Sequence, residues 1–133
     1  MQLDRFTTKA QEALQSAQAI AHQHAHQEID GEHLLLALIS QSDGLIPSLL
    51  TSLGLALPAL TLDLQRELAR RVQVKGLSST DAFLSQDLKQ ALDAAEAEAR
   101  KLKDDYTSTE HLLLGLRDHA EGENGTHPQP NQR

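Results

Sequence analysis

The sequence predicts an all-α domain in which one helical unit is used twice. Three observations carry that expectation. Apolar residues recur at spacings of three and four through most of the chain. The phrase "IDGEHLLLAL" at residues 29–38 nearly returns as "TSTEHLLLGL" at 107–116. Gly44, Gly54 and Pro58 stand between the periodic runs, where helices stop and start.

Taken in order, "TKAQEALQSAQAIAHQH" (Thr8 to about His24) is rich in Ala and Gln and sets Ala10, Leu14, Ala17 and Ala21 on one face. Thr7 is placed to cap it. Asp30 offers a carboxylate to the first free amides of "GEHLLLALIS", a short helix whose run Leu34 to Ile39 is apolar on nearly every side. After Gly44, "IPSLLTSLG" reads as a third short helix ending at Gly54, and Pro58 sits in the first turn of a fourth, "ALTLDLQRELARR". "VQVKGLSSTDAF" alternates only at Val72 and Val74 and reads as a linker with at most a scrap of strand. Ser85 opens "QDLKQALDAAEAEARKLK", with Leu88, Leu92, Ala95, Ala99 and Leu102 on one side, and "TEHLLLGLRD" is its short apolar companion.

A constant offset of 78 residues aligns the two halves: Phe6 with Leu84, Thr7 with Ser85, Leu14 with Leu92, Glu32 with Glu110, His33 with His111. A long helix followed by a short buried one cannot cover its own apolar face, and a second copy can cover it. The agreement stops after Gly44 and Gly122, so the second copy lacks counterparts of the third and fourth helices. The expected organisation is one unit over 1–71, a linker over 72–84, a partial unit over 85–120 and a disordered tail over 121–133. The tail's polar residues, Gly and Pro cannot offset the cost of ordering.

With 12 basic and 19 acidic residues the net charge is -7, so no positive field gathers nucleic acid or an anionic membrane. Phe6, Phe83 and Tyr106 are too few for base stacking. The absence of cysteine excludes disulfides and thiol chemistry and agrees with the cytoplasm. No apolar run approaches the roughly 20 residues of a membrane span or forms a signal-peptide core.

The segments "LDRFTTKAQEALQSAQAIA" and "DDYTSTEHLLLGL", with both "EHLLL" phrases, resemble the Clp N-terminal repeat domain of the Clp-type AAA+ chaperones and unfoldases. "VQVKG" and "FLSQDLKQAL" are most similar to its disaggregase branch. The resemblance covers about residues 1–118. It implies two four-helix repeats related by a pseudo-twofold, here with the last two helices of the second missing, which bind unfolded or aggregated protein segments and work with an AAA+ Clp subunit in the same chain or another. No G-x-x-x-x-G-K-[ST] motif occurs, so the expected role is non-enzymatic and without cofactor.

The resemblance also implies a groove with Thr7, Asp104 and Glu110 on its rim and Leu92 and His111 on its apolar floor. Glu32 and Glu110 further match positions where related domains grip phosphoarginine, and a carboxylate can pair bidentately with a guanidinium. The plainer role of both glutamates is to favour a helix start by about 0.3–1 kcal/mol. His33 and His111 lie beside glutamates, yet no G-x-S-x-G or H-E-x-x-H accompanies them, and their equivalent places suggest architecture. His22, His24 and His26 lack a carboxylate at the spacing that would complete a metal site. Because the second copy has no third helix, Leu112, Leu113, Leu114 and Leu116 are expected to be partly bare. Self-association through the helix starting at Thr109 would then cover them.

Overall fold

Thr7 opens the first helix as the sequence predicts: its hydroxyl accepts from the Ala10 amide at 3.2 Å, and α1 runs Thr8–Gln23. The computed structural model describes residues 3–75 and 82–126, with 119–126 given by backbone alone. A two-residue strand β1 (Glu28–Ile29) leads into α2 (Gly31–Ile39). There follow α3 (Leu45–Ser52), α4 (Leu57–Ala69), β2 (Phe83–Leu84), α5 (Gln86–Lys101) and α6 (Thr109–Thr126). The fold is all-α, and its strands are one parallel pair, β1 on β2.

Small side chains let the long helices approach. Ala10, Ala13, Ala17 and Ala21 line the buried face of α1, and Leu88, Ala91, Leu92, Ala95 and Ala99 that of α5. Leu14, expected on the first face, is half-buried beside it, and Leu102, expected on the second, is exposed at the α5 C-cap. Leu34, Leu38, Ile46, Leu68, Leu88 and Leu112 are the largest fully buried aliphatics. At roughly 1.5–3 kcal/mol each, their burial is the main favourable contribution to the fold.

The 78-residue offset carries over to the contacts. Ala25 and Lys103 both take left-handed backbone, at φ 57° and 62°. Behind them the His26 amide donates to Ala21 O and the Asp104 amide to Ala99 O, each at 2.9 Å. Both long helices therefore end in the same left-handed stop, which satisfies carbonyls that a helix end leaves bare. The two units then exchange backbone reciprocally. Thr7 N–H donates to Thr107 O at 2.9 Å, and the offset-equivalent Ser85 N–H donates to Ile29 O at 3.0 Å.

The scrap of strand allowed for in the linker falls on Phe83–Leu84, where Ile29 presents a backbone edge, rather than at the brief alternation of Val72 and Val74. The expected tail starts at 121, and α6 is described as far as Thr126. Extending a started helix is cheaper than nucleating one, and no proline intervenes until Pro128, which disfavours helix just before it. Residues 127–133 lie outside the described residues. Of the leucines expected to be partly bare, Leu112 is instead 1 % exposed, while Leu113, Leu114 and Leu116 are half-buried. α3 reaches across from the first unit to pack on α6 as well as α2.

The α5–α6 contact is the closest in the molecule, and Gly115 permits it. A Cβ there would stand 2.3 Å from Ala91 O and 2.8 Å from Ala95 N, so backbone would have to move. Gly115→Ala should lower stability by roughly 1–3 kcal/mol in urea denaturation despite the better helix propensity of alanine. A stabilised variant would contradict this packing.

Candidate functional site

The same four-residue device starts both α2 and α6. In the first, the Asp30 N–H donates to His33 Nδ1 at 2.8 Å while the Asp30 carboxylate accepts from the start of α2, a capping box with histidine as its third residue. In the second, the Ser108 N–H donates to His111 Nδ1 at 2.8 Å, and the Ser108 hydroxyl lies 2.9 Å from the same nitrogen. With Nδ1 accepting, each neutral ring carries its proton on Nε2. His111 Nε2–H thus donates to Asp104 Oδ2 at 2.9 Å, and His33 Nε2–H to His26 Nδ1 at 2.9 Å. Both histidines are cap residues of the architecture.

The Thr7–Thr107 bond brings the N-terminus of α1 against the turn 104–111, so Thr7, Asp104, Glu110 and His111 share one end of the domain. Thr7 spends its hydroxyl on the α1 cap. Glu110 Oε1 accepts from Thr109 Oγ1 at 3.2 Å, and the Asp104 side chain is half exposed. Leu102 and Tyr106 expose apolar surface in the same turn, beside Asp104 and Asp105. Leu92 and His111, expected as an apolar floor, are only 4 % and 5 % exposed. α6 packs directly over α5 there, so neither offers an open apolar surface.

Glu32 is not part of this end. Its Oε1 pairs with Arg71 at 2.9 Å, and the same guanidinium reaches Asp30 Oδ2 at 3.1 Å. Asp30 Oδ1 in turn accepts from the Ser85 hydroxyl at 2.6 Å, which ties the starts of α2 and α5 and the end of α4 together. Sequence reasoning missed Arg71, Ser85 and His26 in these roles. Arg71 meets Asp30 across 41 residues and leaves no local signal. His26 did leave one, since it precedes His33 by the spacing that separates Asp104 from His111.

Two clefts flank Phe83. One of about 260 Å³ is mainly apolar, between Leu3, Leu14, Ile29 and Leu84. The other, about 300 Å³, lies between His26, Asp30, Arg71, Val72 and Val74. Among the described residues no group of three or more His, Asp or Glu could hold a metal ion. His24 stacks on His26 at 5.2 Å, a ring contact rather than a shared ligand geometry. No single described helix is long and apolar enough to cross a membrane.

The family model of the Clp repeat (R) N-terminal domain matches residues 5–126. The chain belongs to that family. Among curated relatives, the chaperone protein ClpB of Nitratidesulfovibrio vulgaris is 43 % identical over 118 residues, covering 87 % of this chain and 14 % of the relative. ClpB of Bacillus cereus is 39 % identical over 118 residues with the same coverage. The chain therefore spans about one seventh of the length of these chaperones. The N-terminal domain of ClpV1 ATPase from E. coli EAEC superposes with TM-score 0.79 at 26 % identity, covering 90 % of this chain and 71 % of that one. The Hsp104 N-terminal domain of Candida albicans gives TM-score 0.79 at 21 % identity, over 90 % of this chain and 77 % of that one, and supports the fold alone.

The two long-helix caps allow a graded test. Thr7→Ala removes one capping bond and should cost about 1 kcal/mol in chemical denaturation, whereas Ser85→Ala also removes the hydrogen bond to Asp30 and should cost about 2 kcal/mol. Equal losses would show that the Ser85–Asp30 bond adds nothing.

Proposed function

We propose that this chain is a non-enzymatic binding module of the cytoplasm that captures exposed segments of unfolded or aggregated polypeptide and delivers them to a Clp-type AAA+ subunit, whether in the same protein or a partner. The observation that carries this reading is the end of the domain where Leu102 and Tyr106 expose apolar surface beside the carboxylates of Asp104, Asp105 and Glu110. Apolar client side chains lose water against the first pair, while basic flanks are drawn to the second. Thr7 belongs to this site through the backbone it positions, and Leu92 and His111 by holding the turn up from below. Membership in the Clp N-terminal family and identity to ClpB chaperones support the reading. A further similar structure is named for a peptide from the EAEC T6SS Sci1 SciI protein, with TM-score 0.79, 25 % identity and coverage of 90 % of this chain and 74 % of that one. Recognition of a guanidinium, with or without a phosphoryl group, falls to Glu110, because Glu32 already holds Arg71.

A reduced, permanently unfolded model protein with basic segments, labelled for fluorescence anisotropy, tests the proposal. Exposed ion pairs contribute about 0.5 kcal/mol each, so Asp104→Asn with Glu110→Gln should weaken binding about fivefold at low salt. Leu102→Ser with Tyr106→Ser should weaken it at any salt. Wild-type affinity in both folded variants would exclude this end of the domain.

A further inference from the structure

The two units differ in one buried polar pair. In the second, His111 Nε2–H meets the Asp104 carboxylate; at the equivalent place in the first, His33 Nε2–H meets His26, another imidazole. We propose that the His26–His33 pair is an acid-sensitive latch that fastens the end of α4 and residues 72–75 to the turn between α1 and α2, and that proton uptake opens it while the second unit stays closed.

The hydrogen-bond chain has no place for an added proton. Asp30 N–H donates to His33 Nδ1, His33 Nε2–H donates to His26 Nδ1, and the remaining His26 proton is on Nε2, which lies toward the Leu68 carbonyl without closing a hydrogen bond. A proton added to His33 Nδ1 would face the Asp30 N–H, and one added to His26 Nδ1 would face His33 Nε2–H. Either addition breaks a bond. His33 is fully buried and His26 nearly so, and neither can turn to water without leaving its neighbours.

The surrounding charges make accommodation harder. From the end of α1, His24 stacks on His26; from the end of α4, Arg71 stands beside both rings. The nearby anions are committed: Asp30 is held by Arg71 and the Ser85 hydroxyl from the start of α5, and Glu32 and Glu67 also face Arg71. Glu28 of β1 borders the cleft beside His26 but lies on its exposed side. In the second unit the Asp104 carboxylate faces His111 Nε2 and the Ser108 hydroxyl lies 2.9 Å from Nδ1, so an added proton has an acceptor at hand and an opposite charge across the ring. Burial, then the neighbouring His26 and Arg71, pull His33 down to about 4, with Asp30 opposing. Burial, His24 and Arg71 lower His26 as well, with the Leu68 carbonyl opposing. Both shifts have one sign. Above pH 6.5 neither state takes the proton. As pH falls from 6.5 toward 4, opened imidazoles take protons that the closed state refuses, and opening gains.

What the latch holds is visible in the adjoining bonds. Val74 N–H donates at 2.7 Å to Ala25 O, the residue just before His26, and Arg71 anchors the end of α4 on Asp30 and Glu32. Opening frees this segment without touching the Asp104–His111 turn.

Amide hydrogen exchange on the full 133-residue chain at pH 7.5 and pH 5, with rates corrected for intrinsic pH dependence, tests the proposal. A shift of one imidazole from 6.5 to about 4 predicts that protection at Asp30 and Val74 falls about 30-fold between the two conditions, while Thr107 and Asp104 keep theirs. His26→Asp copies the second unit and sets a carboxylate against His33, so its acid-induced loss should shrink well below the wild type's; His26→Asn keeps only a neutral oxygen acceptor where Nδ1 stood and should lose more than His26→Asp. Because each variant is compared with itself at two pH values, a uniform loss of stability does not obscure the result. Unchanged protection in the wild type, equal loss in both units, or full loss in His26→Asp would each overturn the latch.

Discussion

The structure depends on a reciprocal exchange of backbone between its two units. Thr107 makes two backbone hydrogen bonds across the junction, accepting from Thr7 N–H and donating to Arg5 O at 2.8 Å, and the strand pair at Ile29 and Leu84 repeats the arrangement. In each case the residue that caps the first helix of one unit is fastened to the residue leading into the second helix of the other. The candidate rim follows from this: Thr7 can stand beside Asp104, Glu110 and His111 only because the chain entering α1 is bound to the chain entering α6.

The exchange is supported by small side chains below it. Alanine faces on α1 and α5, and Gly115 on α6, let the helices come close enough for caps and crossings to meet. Net stabilisation per backbone hydrogen bond is only about 1 kcal/mol, but a buried group left unpaired costs 1–3 kcal/mol. The crossings therefore specify the arrangement more than they drive it, and aliphatic burial provides the drive.

The sequence showed much of this because the two halves share one register. The caps Thr7, Asp30 and Ser85, the glycine stop at 54 and the proline start at 58 were legible, since each acts within four residues of itself. Contacts across large separations were not. Arg71 finds Asp30 and Glu32 through the folded path of α4, and α6 meets α3, a helix that the repeat pattern assigned to the first unit alone. The buried state of Leu92 and His111 was likewise set by how closely Gly115 lets α6 settle on α5. The His26 pairing could have been read from the offset, because Asp104 stands where its counterpart does.

The central claim is that the reciprocal exchange joins both units into one cooperative body with the rim built into it. Native-state hydrogen exchange at pH 7.5 under increasing denaturant measures this most directly. The account predicts that the amides of Thr7, Thr107, Phe83 and Ser85 exchange with the same opening free energy and denaturant slope as core amides of α5, through global unfolding. If Thr7 and Thr107 instead exchanged through a low-energy local opening while Phe83 and Ser85 stayed protected, the two crossings would be independent and the rim would not be part of the cooperative fold.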